Sequence, residues 1–436
     1  MAERTTIDST ELREAWFILS AEDRIAGFRM LDAEAAEEFF FDLSPLDQLE
    51  LILALPPAER RLWLRLLAPD DAADLIQEAE AEQRGMLLAL LDEQTRKEVI
   101  ALLAYAEDEA GGLMSSRFAR VRPDMRVDEA IAYLRRQAVS SIEPETIYYV
   151  YVLDSRQTLQ GVISFRDLFA APSDRVVHDV MSTDVIAVPE DMDQEAVARL
   201  FAEHDLLAIP VIDENRVLKG IVTVDDIVDV VEEEATEDIQ KYGGMEALEA
   251  PYMRTDFFSL VRKRGGWLVL LFFAQLLTAE VITHFEAELS QLAALAIFIP
   301  LILSSGGNSG SQASTLVIRA ITVGELRLRD WWRVARRELA AGLTMGAALG
   351  LLGFGRIILA GAIGTDYETD AILLGWVVAG SLVCVVAWGT IVGSMLPFVL
   401  QRVHLDPASA SAPLVATVSD VTGLLIYFTI AAAIVF

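Results

Sequence analysis

Five apolar runs dominate the chain from residue 267 to its last residue, at about 267–285, 292–321, 339–363, 372–400 and 410–436. Each is long enough to cross the roughly 30 Å hydrocarbon core of a bilayer as a helix, and a bilayer admits only helices or closed barrels. The expectation is a bundle of five membrane helices. The last run is the most informative, because Asp420 lies well inside it, with Ala416, Thr417 and Tyr427 on roughly the same helix face. Pro413 suits the first turn of that helix, where its missing N–H costs nothing. A carboxylate at such a depth costs about 2.5–3.5 kcal/mol on insertion scales, so it needs a water-filled path or a partner. A cation pathway is the leading expectation, and a hydrogen bond to a neighbouring helix is the alternative.

The second run is interrupted by residues 304–315, SSGGNSGSQAST. Gly306 and Gly310 form a small-xxx-small pattern that lets two helices approach closely. Asn308, Ser311, Gln312 and Thr315 are too polar for lipid and are expected to line an aqueous path. The run holds no Lys, which argues against a phosphate-binding loop. Arg319, Arg327, Arg329, Arg333, Arg336 and Arg337 gather between the second and third spans and Arg402 follows the fourth, whereas loops 284–291 and 364–370 carry acids and no Lys or Arg. The positive-inside rule therefore expects an inner-membrane, multi-pass protein with a cytoplasmic N-terminus and an outside C-terminus. The polar start of the chain, without a basic segment and apolar core, gives no sign of a signal peptide and agrees with that orientation.

Charge is unevenly spread. Residues 265–436 hold 11 acidic and 8 basic side chains, leaving 55 and 27 in residues 1–264, a net of −28. Such a surface repels nucleic acid and suits a region that concentrates cations. The single Cys384, in an apolar run, excludes a disulfide or a thiolate metal site within one chain. His178, His204, His284 and His404 are scattered without ligand spacing, and no nucleophile, base and oxyanion set occurs together, so an enzyme is not expected.

Between about residues 20 and 105, helical periodicity is broken by recurrent punctuation at Leu43-Ser44-Pro45, Leu55-Pro56-Pro57, Ala68-Pro69-Asp70 and Leu91-Asp92-Glu93. The pattern predicts short antiparallel helices stacked into a superhelix. Next comes a duplication: residues 124–134 match 191–200, and 149–168 match 208–227, with about seven extra residues near 140–146 in the first copy. Each copy reads as a helix, two β-branched runs joined by a polar turn, a Gly, a hydroxyl residue and a short acidic helix, so two βαββα units are expected to form one globule.

The duplicated unit resembles a tandem pair of CBS domains, whose signature appears as Ser164-Phe-Arg-Asp167 and Thr223-Val-Asp-Asp226. A hydroxyl and a carboxylate one turn apart at a helix start hold a phosphate and a ribose diol, or they simply cap the helix; the residues alone leave both open. After the second copy, Asp226, Asp229, Glu233 and Glu237 share one helix face, with Asp225, Glu232, Glu234 and Asp238 beside them and only Lys241 to offset them. A solvated acidic linker is one reading, and hydrated divalent cations bridging the carboxylates is the other.

The whole chain resembles the MgtE family of magnesium channels, through the motifs at 110–114 (AGGLM), 146–154 (TIYYVYVLD), 222–239, 299–320 and 413–428. The resemblance implies a multidomain membrane protein: an all-α superhelical N domain (1–110), an α/β CBS pair (111–230), an acidic connecting helix (231–264) and an all-α five-helix transmembrane domain (265–436), assembled as a homodimer. It implies hydrated Mg2+ in the pore at Asp420, with Thr417 and Ala416 nearby. Regulatory Mg2+ is implied at Gly112, Asp205, Asp226, Asp229, Glu234, Glu237 and Asp238, faced by Asp70, Asp71 or Asp74, and ATP at Tyr149, Arg166 and Asp167. Two positions that the resemblance places along the pore depart from the family pattern: Ser311, where many members carry Asn, and Ala412, where some carry Asn or Gly. The mechanism expected is a channel that admits hydrated Mg2+ and closes when Mg2+ draws the acidic domains together. An ion-coupled transporter with Asp420 as proton carrier, and a nucleotide sensor merely anchored in the membrane, are the competing readings.

Overall fold

The computed structural model describes residues 8–16, 18–138, 144–248, 250–286, 293–364, 367 and 370–435. Part of the extra segment near 140–146, and parts of the acidic loops at 284–291 and 364–370, lie outside the described residues. The chain divides into two compact units, Met1–Glu232 and Glu233–Phe436.

The first unit begins with a run of short helices from Ser9–Ala15 to Glu93–Leu102. Where the punctuation predicts a cap, Ser44 accepts from the Asp47 N–H and Asp92 from the Gln94 and Thr95 N–H groups. Pro56 and Ala68 give no side-chain cap, and Pro57 and Pro69 start their helices by fixed φ alone. Helices two apart in sequence pack together, Ser9–Ala15 on Ala33–Phe41, Pro45–Ala54 on Pro69–Gln77 and the latter on Glu93–Leu102. This stacking buries one continuous core from Leu12 through Phe39, Ile52, Leu75 and Val99 to Leu102.

The duplication folds as two equivalent three-stranded sheets. Strand β1 (Arg120–Val121) runs parallel to β2 (Tyr149–Leu153), which is antiparallel to β3 (Leu159–Ser164); β4 (Val188–Pro189), β5 (Ala208–Ile212) and β6 (Leu218–Thr223) repeat the order. Even the register shift recurs, at Val152/Leu153 and at Val211/Ile212. Each hairpin turn is tied by one aspartate: Asp154 Oδ1 accepts from the Arg156 and Thr158 N–H groups at 2.8 and 2.9 Å, and Asp213 Oδ1 from Asn215 and Val217 at the same distances. Cross-bonds from Leu159 N–H to Arg216 O and from Leu218 N–H to Gln157 O join the two hairpins as one globule.

In the second unit, five helices among the described residues are long and apolar enough to cross a membrane. They are Phe257–His284, Ala294–Thr322, Trp331–Ala362, Ala371–Arg402 and Ala412–Val435. The polar stretch 304–315 does not break the second one, which stays helical throughout with Pro300 inside it. Its small residues carry the reason: they fit against the fourth helix rather than unwinding the second. A Cβ on Gly389 would stand 2.4 Å from the Gly306 carbonyl oxygen, and one on Gly393 only 1.9 Å from that of Gly310. The small-xxx-small pattern is thus a backbone-to-backbone seam.

Candidate functional site

In the first unit, carboxylates from three elements face one another. Asp70 and Asp71 start the helix Pro69–Gln77, and Asp225, Asp226 and Asp229 lie in the first two turns of Val224–Tyr242. Glu145 joins from the segment before β2. Asp70, 6% exposed, accepts from Ser115 Oγ at 3.2 Å, and the same hydroxyl stands 3.3 Å from Glu145 Oε2. Burial first, then the charges of Glu145, Asp71 and Asp226, hold the Asp70 carboxyl well above the usual range. Burial likewise pushes Asp226 up to about 7, against the hydrogen bonds from Thr223. Asp71 rises through burial, despite a backbone hydrogen bond, and through Asp225 and Asp229; Glu145 rises through burial and Asp71, partly offset by Ser115 and Arg117. Asp229 is raised by partial burial and then by Glu232 and Asp225.

Crowding of this kind makes a proton or a cation welcome. Among the described residues, however, no three Asp, Glu, His or Cys side chains converge closely enough to grip a bare ion. Asp225 joins the cluster from the acidic helix, and Glu145, which no motif singles out for this task, joins it as well. Asp74 is exposed farther along its helix, Gly112 sits in the short helix Ala110–Leu113, and Asp205 is the exposed C-cap of Gln194–His204, in the left-handed conformation at φ 51°.

The CBS-type residues of the first copy gather at one strand end. Tyr149 pairs with Ser164 across the ladder, and Arg166 and Asp167 are exposed on the helix that follows. Ser164 Oγ donates to Asp167 Oδ2 at 2.6 Å and accepts from the Asp167 N–H, as a helix cap does. Thr223 and Asp226 repeat the side-chain bond at 2.6 Å, with Thr223 buried.

In the second unit, Asp420 is half-buried, and the Gln275 side chain of the first membrane helix hydrogen-bonds it. Ala416 packs against Gly307, and Thr417, 8% exposed, donates to the Pro413 carbonyl at 2.9 Å. Tyr427 lies on the same face of this unbroken helix but is fully buried, and it donates to the Leu295 carbonyl at 2.9 Å. On the second helix Asn308, Gln312 and Thr315 are exposed, with Asn308 bonded to Ser304. Ser311 lies half-buried and donates to the Ala412 carbonyl at 3.4 Å, while Ser314 donates to Ala410 at 3.0 Å. These two bonds hold the backbone that leads into the last helix.

The end of the connecting helix reaches the same region of this unit. Tyr242 Oη donates to the Ser311 carbonyl at 2.8 Å and stands 2.6 Å from Thr315 Oγ1. Lys241 pairs with Asp406 at 2.6 Å and with Glu237, and Thr322 Oγ1 donates to Asp238 at 3.3 Å. Burial opposes the charge on Lys241, but its hydrogen bonds to Asp406 and Glu237 outweigh that and hold the ammonium well above the usual lysine range. Asp238 is raised by burial and then by Asp406. Glu234 lies between these turns and the acidic cluster in sequence. Neither Tyr242 nor Gln275 is legible in the sequence, because an isolated Tyr after an acidic helix, or a Gln in an apolar run, carries no spacing signal.

A five-helix membrane unit with a carboxylate inside it, joined to an acidic unit, is the arrangement expected of a cation transporter. Residues 299–430 match the MgtE family, described as divalent cation transporters, residues 7–108 match the MgtE intracellular N domain, and residues 110–174 and 177–233 match the CBS domain. The magnesium transporter MgtE of Thermus thermophilus is 42% identical over 428 residues, covering 98% of this chain and 92% of the relative. That of Bacillus subtilis is 34% identical over 435 residues, covering 99% and 94%. A crystal structure of the cytosolic domain of the Mg2+ channel MgtE in complex with ATP is 42% identical in sequence, covering 52% of this chain and 92% of that one, with a TM-score of 0.48. The chain belongs to the MgtE family of magnesium transporters.

Proposed function

We propose that this member of the family is a Mg2+-selective channel that imports divalent cations and is closed by Mg2+ bound to its acidic extramembrane domains. The observation that carries the reading is the half-buried Asp420, together with a second helix that turns Asn308, Gln312 and Thr315 outward. Gln275 meets Asp420 and Ser304 meets Asn308 on one side only, and lipid offers nothing to the polar atoms that remain. The reading therefore completes the path with a second copy of the chain, a homodimer in which two Asp420 carboxylates meet across a two-fold axis and repel unless a cation lies between them. Mg2+ gives up water reluctantly, so a carboxylate pair that accepts the hydrated ion lets it pass without full dehydration. The Thr417 oxygen and the Ala416 backbone are its nearest helpers, and Ser311 and Ala412 set the width of the approach.

Closure is assigned to the other end of the connecting helix. Protons and hydrated cations are the species that relieve the crowding of Asp70, Asp71, Glu145, Asp225, Asp226 and Asp229. With Mg2+ there, the connecting helix stays ordered and Tyr242 remains on Ser311 and Thr315; without it, repulsion loosens the cluster and frees the helix. The same reading places the N-terminus and the arginine-rich loops in the cytoplasm, the C-terminus outside and the protein in the inner membrane. ATP is assigned to the CBS pair, at Tyr149, Ser164, Arg166, Asp167 and Thr223, in line with the ATP held by the related cytosolic domain.

The test is Mg2+ uptake in cells lacking their own importers, comparing wild type with Asp420→Ala. Loss of at least about tenfold, the cost of 1.4 kcal/mol at a conduction barrier, is expected. Unchanged uptake overturns the pore assignment and leaves the anchored sensor. Currents from reconstituted protein that reverse at the Mg2+ equilibrium potential separate a channel from an ion-coupled transporter.

A further inference from the structure

The arginines between the second and third membrane helices are more closely grouped than a topology rule requires. That rule asks only for positive charge on one side, whereas here the charges converge on a cleft of about 500 Å3 lined by Arg329, Asp330, Trp332, Arg333, Arg336 and Arg337. Residues 327–337 carry five arginines and one carboxylate, in a chain whose net charge is −31. Asp330 is already held by Arg333 at 3.0 Å and by the Arg327 N–H at 3.2 Å. Among the described residues no carboxylate lies within ion-pairing distance of Arg329 or Arg336, so the cleft has a surplus of guanidinium donors.

Helix length, together with the charges of Arg333, Arg336 and Arg337 at one end of the helix, sets the level of the cleft. The helix Trp331–Ala362 has 32 residues, about 48 Å at the standard rise, against a hydrocarbon core of about 30 Å. Its first turns therefore stand at headgroup level. Trp331 and Trp332, edge to face and 50% and 59% exposed, are the residues that favour this layer. Below them Trp332, Arg336, Leu339 and Leu343 follow one another at helical spacing on one face, and Leu339 and Leu343 are 44% and 45% exposed. A guanidinium cleft above and an apolar strip below match a phosphate headgroup with its acyl chains.

We propose that this cleft is a binding site for an anionic phospholipid, with Arg329, Arg333 and Arg336 on the headgroup phosphate, Trp332 beside the glycerol and Leu339 and Leu343 along an acyl chain. A free phosphate would use the arginines but not the apolar strip. The lipid reading is favoured because the two lie on one continuous helix face.

The test uses the full chain in detergent and in lipid nanodiscs, with phosphatidylglycerol and phosphatidylcholine as probes. Native mass spectrometry is expected to show phosphatidylglycerol retained by the wild type and lost by about fivefold for each arginine removed, in Arg336→Gln alone and in the triple Arg329→Gln/Arg333→Gln/Arg336→Gln. Brominated phosphatidylglycerol is expected to quench tryptophan fluorescence more than the brominated phosphatidylcholine does, and the single variant to lose that difference. Arg262→Gln/Arg264→Gln, which removes charge near the first membrane helix, is the control and should keep both signals. Equal retention by Arg336→Gln, equal loss in the control, or displacement of the lipid by millimolar inorganic phosphate would each overturn the proposal, the last in favour of a soluble-anion site.

Discussion

The two copies of the duplicated fold share strand order, register, hairpin ties and the same hydroxyl-to-carboxylate bond at 2.6 Å, yet their carboxylates live in different worlds. Asp167 of the first copy is exposed and sits beside Arg166. Asp226 of the second is shielded, faces Asp70 and Asp71, and is pushed up to about 7. One motif therefore serves as an open cap with a neighbouring cation in one copy, and as part of a crowded acid cluster in the other. The difference comes from what the N-terminal helices place beside the second copy, and no residue within the motif specifies it.

The largest expected effect lies in pH. A carboxylate whose folded pKa is raised contributes stability that is complete below its unfolded value and lost as pH rises through its folded value. Asp226 alone should therefore weaken the first unit by on the order of 3 kcal/mol between about pH 4 and pH 7. Thermal unfolding of the full chain at pH 5 and pH 8 checks this. Millimolar Mg2+ or Asp226→Asn should flatten the difference, while Asp167→Asn should leave it intact; a pH dependence untouched by Asp226→Asn would erase the contrast between the copies.

Next in size is a pair of substitutions that should act alike. A Cβ on Gly161 would stand 2.7 Å from the Ser182 carbonyl oxygen, and one on Gly220 2.6 Å from that of Ser115. Gly161→Ala and Gly220→Ala should each cost about 1–3 kcal/mol in denaturant titrations. Costs that differ by more than about 1 kcal/mol would show that the equivalence of the copies ends at the strands. The smallest effect separates them again. Ser164→Ala should lose only an exposed cap, about 1 kcal/mol, whereas Thr223→Ala also removes the donor that steadies Asp226 and should move the pH midpoint upward.

Much of this architecture was legible in the chain. Apolar runs located the five membrane helices because lipid allows few alternatives, and the duplication announced two matching sheets. Helix ends were less visible: Arg262, Arg264, Arg333, Arg336 and Arg337 are charged enough to read as loop, yet they continue membrane helices beyond the hydrocarbon layer. The polar stretch 304–315 looked like a break because composition cannot reveal that a facing helix has glycines at matching positions. The family resemblance marks Asp70, Asp71, Asp226 and Asp229 as ligands, but their mutual crowding, and the part of Glu145, depend on contacts between distant segments. Periodicity puts Tyr427 on the face of Asp420, but it cannot show that the ring fills the core and the hydroxyl is bound to Leu295.

The glycine seam between the second and fourth membrane helices has a mechanical consequence. With Gly306 on Gly389 and Gly310 on Gly393 in backbone contact, sliding one helix by a single residue, about 1.5 Å, would drive side chains into carbonyls. The third helix is locked to the fourth in the same manner, through Gly342, Gly346 and Gly350 against Ala387, Val383 and Ala379. These three helices form a block with no free degree of slip, so widening or narrowing beside Asn308 and Gln312 has to come from parts that move against the block as a whole.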